Sequence, residues 1–428
     1  MKAHYCSRCS NRVFFENTTC THCAAALGFV PLEGMVSFDI PQAAPAKPAI
    51  DAPPNASANA PSDTPAAAAK AAAPAPADST PTYGTWTRLG AGAGNAPALR
   101  PCRNYAVEGV CNWMVPADDP NPLCRSCRLT RVIPSLDVPG HREHWARLEL
   151  AKRRLVYALL ERGLPLTPKS EDAASGLAFE FLADQPAAPH VVTGHDAGVI
   201  TLNIKEADDA VREKTRLAMH EPYRTLLGHF RHESGHYFWD RLVDGTPLLD
   251  EFRTLFGDER ADYGEALKRH YAEPVADWVD HYVSSYASSH PWEDWAETWA
   301  HYWHIEDGLE TAAAWGLALS GVSRDQPAAL TPQPLPVGDE DIAQRIVEQW
   351  LPVSQFVNAM DRSLGTLDSY PFVLSPEVLR KLSFVGRVVC AGRMAQAAPA
   401  TPAAPAMPTT AESPAMPVNS PAPAAADA

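Results

Sequence analysis

Within the run Leu226–Leu242, "LLGHFRHESGHYFWDRL", His232 and His236 stand four residues apart, with Glu233 directly after the first. On a helix, positions four apart lie one above the other, so the two imidazoles can face one ion. Glu233 would sit beside that ion, able to reach a water there without ligating it. Zinc lowers the pKa of such a water to about 7, and a neighbouring carboxylate can take its proton as attack on a carbonyl begins. A five-residue pattern is short, so its surroundings must support it. Gly235 in mid-helix costs roughly 1 kcal/mol relative to Ala, which points to a close backbone approach there. His229 reads as a surface or core histidine, because one turn already supplies two ligands. Asp240, four residues past His236, could orient that imidazole, pair with Arg241 or face solvent.

A hydrolytic zinc site needs a third protein ligand. Trp239 and Leu242 fill the positions where a glycine and a third histidine would extend the motif locally. The candidate lies downstream in "SYASSHPWEDWAETWAHYWH". Pro291 suits a helix's first turn, with Ser289 or His290 as the cap, and Glu293, Glu297 and His301 then share one face. A glutamate in a first turn also stabilises the helix dipole, whatever else it does. Glu293 and Glu297 are competing carboxylates for the third position. Tyr286, one irregular turn before Glu293, is a candidate donor to the oxyanion of a tetrahedral intermediate. Tyr282 competes with it, and both could simply pack.

The cysteines carry a different chemistry. Cys6, Cys9, Cys20 and Cys23 form two Cys-x-x-Cys knuckles, the pattern of a closed tetrahedral zinc with no position left for substrate. A module this small lacks a core of its own and needs the metal to fold. Cys102, Cys111, Cys124 and Cys127 make a looser tetrad, read as a second structural zinc. Arg100, Arg103, Arg125, Arg128 and Arg131 crowd around it: solvated charge, or a docking patch for an acidic partner or RNA. Paired thiolates suit a reducing compartment better than disulfides, so the expectation is a cytoplasmic protein.

The rest of the chain must position these groups. In 428 residues with a net charge of −15, broad affinity for nucleic acid or anionic membrane is disfavoured. No apolar run approaches the ~20 residues that span a bilayer, and "MKAHYCSRCS" lacks a secretory core. The 41 prolines concentrate in two Ala/Pro-rich stretches, too poor in apolar bulk to order. The organisation read from this is a ribbon over 1–40, a disordered linker over 41–82 and a second four-Cys module over 83–140. A main domain over 141–392 and a disordered tail over 393–428 complete it. In "REHWARLELAKRRLVYALLERG" a stripe of Trp145, Leu148, Leu155, Val156, Leu159 and Leu160 predicts a helix ending at Gly163. "LAFEFLA", "HVVTG" and "GVITLNI" read as short strands. Helical patterns then follow around His232, from Asp277 to Asp307, and in "EDIAQRIVEQWLPVSQFVNAM" and "SPEVLRKLSFVGRVVCAG". Few strands and several long helices make an α+β domain.

The stretches "CSRCSNRVFFENTTCTHCAAALGFVP", "VITLNIKEADDAVRE", "EPYRTLLGHFRHESGHYFW", "LFGDERADYGEALKRHYA" and "SSYASSHPWEDWAETWAHYWHI" together resemble bacterial zinc-binding metallopeptidases with an N-terminal zinc ribbon. "EDWAE" also looks like the Glu-x-x-Ala-Glu helix of gluzincins, in which a separate helix donates the third ligand. The resemblance implies a zincin-like fold, mainly helical with a small sheet. It implies His232, His236 and Glu293 as ligands of a catalytic zinc, Glu297 behind them, and Glu233 as general base. A peptide or protein would be the substrate, with an extended backbone paired to a sheet edge near the helix; "VITLNI" is either that strand or a covered core strand. The alternative is a non-catalytic adaptor that retains the peptidase-like fold and binds a protein partner through its ribbons. Three zinc ions per chain are expected, one catalytic and two structural.

Overall fold

The computed structural model describes residues 2–39, 84–90, 96–186, 189–218, 221, 223–321, 329–336 and 341–397. The expected linker over 41–82 lies outside the described residues, as does 398–428 of the tail expected over 393–428, while 393–397 are helical.

The N-terminal part is built from short antiparallel strands that carry the cysteines. β1 (His4–Tyr5) pairs with β2 (Arg12–Val13), and β3 (Ala26–Val30) with β4 (Gly34–Asp39), which also pairs with β5 (Thr87–Arg88). β6 (Leu99–Pro101) leads into the short helix α1 (Arg103–Ala106) and pairs with β7 (Met114–Pro116). The two cysteine modules are joined back to back. The Phe29 amide donates to the Asn112 carbonyl at 2.8 Å, the Asn112 side chain donates to the Phe15 carbonyl at 2.6 Å, and the Tyr105 hydroxyl donates to the Leu27 carbonyl at 2.8 Å. Phe15, Phe29 and Trp113 interlock between them.

The chain does not leave this unit through a loose hinge. Three residues after Cys127 it enters β8 (Thr130–Val132), an edge strand of the sheet of the following domain. That domain opens with α2 (His141–Glu161), whose predicted apolar stripe is buried and which ends before Gly163 at φ +71°. A fully buried Lys152–Glu149 pair at 2.9 Å on α2 takes the Thr130 hydroxyl at 2.8 Å, locking β8 onto the helix. Tyr157 of the same helix packs its ring 5.6 Å from Phe15 and 5.9 Å from Phe29.

The sheet has the order β10-β11-β9-β8, with β9 (Ala178–Leu182), β10 (Gly194–Asp196) and β11 (Val199–Asn203). β11 is parallel to β9 and antiparallel to β10. "VITLNI" is therefore an interior strand, paired on both sides; the free edge beside the helices belongs to β10. The strand expected at "HVVTG" begins only at Gly194. The Val191 amide is taken by the Asp184 carboxylate at 2.9 Å, which withdraws it from any ladder.

Phe179 and Phe181 of β9 pack on Phe230 of the central helix. A short 3-10 turn over Ile204–Ala207, capped by the Asn203 side chain, leads to α3 (Asp209–Ala218) and then to that helix, α4 (Leu226–Leu242). α5 (Leu249–Phe256) and α6 (Tyr263–Ala272) follow. The helical pattern expected from Asp277 to Asp307 is interrupted: α7 (Trp278–His281), a 3-10 turn over Tyr286–Ser289, then α8 (Pro291–Ala314). Pro291 has no amide to continue a preceding helix and instead starts a new one, with His290 as its cap.

α9 (Ile342–Arg345) continues through a π turn over 346–350 into α10 (Leu351–Ser363). Pro352 clashes with the carbonyl four residues back, which accounts for the widened turn. α11 (Pro376–Ala397) closes the domain and extends past residue 392. Its Lys381 makes a buried 2.6 Å ion pair with Asp294, pinning the first turn of α8. The architecture is α+β, mainly helical with small sheets, and among the described residues no helix is long and apolar enough to cross a membrane.

Candidate metal centre

α4 and α8 cross in close contact because Gly235 has no side chain. A Cβ there would stand 3.0 Å from Ala296 Cα and 3.2 Å from Trp299 Cβ. Two indoles of α8 clamp the same stretch: Trp295 Nε1 donates to the Gly235 carbonyl at 2.8 Å and Trp299 Nε1 to Ser234 Oγ at 3.1 Å. At its start, α4 is capped by Thr225, whose hydroxyl accepts from the Gly228 amide at 3.0 Å.

This crossing brings His232, His236 and Glu293 together, with donor atoms all within 4.8 Å of one another. His232 Nε2 lies 3.0 Å from Glu293 Oε2, and His236 Nε2 lies 3.7 Å from Glu293 Oε1. These separations bracket the roughly 3.3 Å edge of a tetrahedron built on bonds of about 2.0–2.1 Å. Glu297 stands on the far side of His232, its Oε1 2.7 Å from Nδ1, and is itself held by Ser284 Oγ at 2.7 Å. The competition between the two glutamates thus has a geometric outcome: Glu293 faces both imidazoles and Glu297 backs one of them.

The donor chemistry fits a divalent cation. Burial disfavours a charged His232 ring, but Glu293 and Glu297 on its two sides outweigh that and hold it protonated in the metal-free site. A divalent cation would take the place of the Nε2 proton, with Nδ1–H still given to Glu297 and the Nε2 lone pair turned towards the side where Glu293 Oε2 lies. Burial tends to raise the Glu293 carboxyl, but His236, His232 and the Tyr263 hydrogen bond outweigh it and hold it at about 2. Burial lowers His236 to about 3, keeping its ring neutral. Burial also lifts Glu233 to about 7, opposed by His232 and reinforced by Glu293. Among the described residues no side chain or amide hydrogen-bonds Glu233, so its carboxylate stands uncommitted beside the triad.

Other expected residues fall as follows. Tyr286 lies with its ring 6.0 Å from that of His232 and lines a cleft of about 160 Å³ that also exposes His232, Glu297, His229, Arg224 and Phe372. Tyr282 is occupied elsewhere, with the Lys381 ammonium 4.4 Å above its ring. Asp240 is exposed and does not orient His236, whose Nδ1 is buried without a partner; one turn further along α4, Asp240 points off the buried face. His229 is outside the triad and pairs with Glu206.

Some neighbours of the site carry no signal in the sequence. Tyr263 donates to Glu293 Oε1 at 2.8 Å from thirty residues upstream, Ser284 holds Glu297, and the Trp292 ring packs tilted against His236 with centroids 4.3 Å apart. His195 on the β10 edge lies 6.2 Å, ring to ring, from His236. Asp262 and Glu265 mark the start of α6, but nothing in their spacing ties Tyr263 to Glu293.

Both cysteine tetrads converge as well. Sulfur separations of 3.6 Å (Cys6–Cys23), 3.7 Å (Cys9–Cys20) and 3.8 Å (Cys111–Cys124) match the roughly 3.8 Å edge of a tetrahedron of ~2.3 Å zinc–sulfur bonds. Backbone amides of Trp113 and Cys124 point at Cys111 and Cys102 sulfurs, at 3.4 and 3.3 Å, as thiolates require. The arginines around the second tetrad are mostly spent within the protein: Arg128 on Asp119, Arg131 on Glu180, and Arg100 on the Asp119 carbonyl.

A family model described as "Putative zinc-binding metallo-peptidase" matches residues 141–388, and one for a zinc-ribbon domain matches 3–47 and 66–138, taking in both tetrads. The uncharacterized proteins Mb2598c of Mycobacterium bovis and Rv2568c of Mycobacterium tuberculosis are each 39% identical over 391 residues, covering 91% of this chain and 95% of theirs. No solved structure matches the chain. With the matched domain spanning more than half of its length and built around the two-helix triad, the chain belongs to this family of zinc-binding metallo-peptidases, with a zinc-ribbon unit ahead of the family domain.

Proposed function

We propose that the protein is a zinc-dependent peptidase in which His232, His236 and Glu293 hold the catalytic zinc and Glu233 is the general base. The observation that carries this reading is the convergence, from two helices, of three metal donors beside a buried carboxylate that nothing else engages. Zinc at this position supplies Lewis acidity, lowering the pKa of a water and polarising a carbonyl.

The chain's own groups do the rest. Glu233 takes a proton from the water that attacks the carbonyl carbon, and passes one to the amine nitrogen as the carbon–nitrogen bond breaks. Burial lifts this carboxyl to about 7 in the metal-free site, and a zinc ion alongside would pull it back down, keeping the group in its base form. Glu297, held by Ser284, fixes the tautomer of His232 so that Nε2 faces the metal position. Tyr286, which lines the cleft next to His232, would donate to the oxyanion. The three-residue edge of β10 beside His236 offers main-chain pairing to an extended peptide. The two cysteine tetrads each hold a structural zinc, which makes three ions per chain.

The test is cleavage of a mixed peptide library by the zinc-loaded full chain. Zinc-dependent hydrolysis at internal or terminal peptide bonds supports the reading. A folded, fully metallated protein that cleaves none of the library favours the adaptor instead.

A further inference from the structure

The two oxygens of Glu293 are not equivalent. Oε1 accepts the Tyr263 hydroxyl at 2.8 Å. Oε2 lies 3.0 Å from His232 Nε2, the nitrogen whose proton a cation would replace. The side chain is only 3% exposed, so little solvent competes for either oxygen. A carboxylate with both oxygens free can close on a metal ion through one or through both. Zinc sites that do chemistry pair three protein ligands with a position kept for water, and a second oxygen from Glu293 would compete for that position.

The same device backs the neighbouring imidazole. Glu297 Oε2 accepts the Ser284 hydroxyl at 2.7 Å, and its Oε1 meets His232 Nδ1 at 2.7 Å. In both carboxylates a hydroxyl from another element takes one oxygen and leaves the other to face His232.

A structural tie between α6 and α8 does not account for the Tyr263 hydroxyl, because the two helix starts are joined without it. His290 Nε2 donates to the Ala261 carbonyl at 3.0 Å, while its Nδ1 accepts the Trp292 amide at 3.1 Å and caps α8. Asp262 caps α6, accepting from the Glu265 amide at 2.8 Å. The Tyr263 ring packs edge-on against His290, with centroids 5.3 Å apart. Backbone and ring are thus anchored, and the hydroxyl is left to engage Oε1.

We propose that Tyr263 is a positioning residue: by holding Oε1 of Glu293 it presents Oε2 alone to the metal and keeps a coordination position free for water. This rests on the triad being the metal centre of the function proposed above, and the test separates the two. The full chain is exposed briefly to a chelator until elemental analysis finds only the zinc of the two tetrads. Competition with a fluorescent chelator then measures its affinity for added zinc. Cobalt(II) added to a second sample reports the coordination through its visible ligand-field bands, which weaken when a further ligand joins the ion.

Tyr263→Phe is expected to bind zinc at the triad about 10–100-fold more weakly than the parent, the usual worth of a group that orients a ligand. Its cobalt bands should be weaker, because the freed Oε1 can swing onto the ion. With the triad empty, its melting temperature should equal the parent's. Zinc affinity that is not weakened, or a cobalt spectrum superimposable on the parent's, would each overturn the proposal. So would a lower melting temperature of the empty-triad variant, which would make the hydroxyl a structural tie after all. A parent that takes up no ion after the chelator step would overturn the triad reading itself and the role of Tyr263 with it, whereas equal uptake by parent and variant overturns the role of Tyr263 alone.

Discussion

The second cysteine tetrad and the His232–His236–Glu293 triad are both buried clusters of metal donors, but they are finished in different ways. Around the tetrad every direction is filled: four sulfurs set the tetrahedron, backbone amides approach the sulfurs, and Trp113 seals the interior. The triad has three donors, Glu233 stands next to His232 on the same helix, and His232 lines a cleft. On the function proposed above, closure, more than the number or burial of donors, is what distinguishes the two centres. The two centres are also mechanically linked. The strand that leaves the tetrad, β8, is an edge of the sheet whose phenylalanines support α4 through Phe230.

The largest expected effect comes from opening the closed site. Structural zinc contributes about 10–16 kcal/mol of binding free energy that is also folding free energy. Cys124→Ser should therefore unfold the ribbon unit and loosen β8, seen as loss of one zinc by elemental analysis and a broadened thermal transition. A sharp, unshifted transition would mean that the tetrad is dispensable.

Breaking the open site should look different. Glu233→Gln is expected to lower peptide hydrolysis by about 10²–10⁴-fold, the usual worth of a general base, with zinc content and melting temperature unchanged. Brief exposure to a chelator sharpens the contrast further. The triad's metal should leave first, removing activity while the far-ultraviolet circular dichroism stays constant, and the tetrads should empty only as the fold melts. Simultaneous loss from all three clusters would erase the distinction drawn between them.

The same contrast governs how much the sequence reveals. Both tetrads and the His-Glu-x-x-His turn are encoded by local spacing, and so is the Glu293–Glu297 face behind Pro291; in the structure the four sulfurs of each tetrad, and His232, His236 and Glu293, lie close together. What spacing cannot encode is what tertiary packing delivers. Tyr263 and Ser284 reach Glu293 and Glu297 from separate elements, and Trp292 reaches His236 across the helix crossing. The union of two cysteine modules through Phe29 and Asn112 is a backbone contact across more than eighty residues, invisible to motif reading. "VITLNI" has the composition of a strand, but only sheet order shows that it is interior and that β10 is the edge. Nothing local to His229 points to its partner, Glu206, which lies on a turn that precedes α4 by a whole helix.

Smaller effects should come from groups that position the open site without filling it. Glu297→Gln removes the anion behind His232 Nδ1 but keeps its shape, and should weaken zinc at the triad by about 10–100-fold while the tetrads hold theirs. Competition with a fluorescent zinc chelator measures this directly, and unchanged affinity would assign Glu297 to packing alone.

The smallest is the most local. Gly235→Ala adds one methyl against Ala296 Cα at 3.0 Å, where backbone cannot yield as a flexible side chain would. Alanine's better helix propensity returns about 1 kcal/mol, while overpacking costs typically ~1–3 kcal/mol, so a net loss of up to about 2 kcal/mol is expected in thermal or denaturant unfolding. The more informative reading is zinc. If α4 is pushed off α8, Glu293 moves away from both imidazoles together, and metal affinity at the triad should fall more than global stability does. If instead stability falls and triad affinity does not, the two helices can separate without opening the site, and the helix crossing is not what holds the three donors in register.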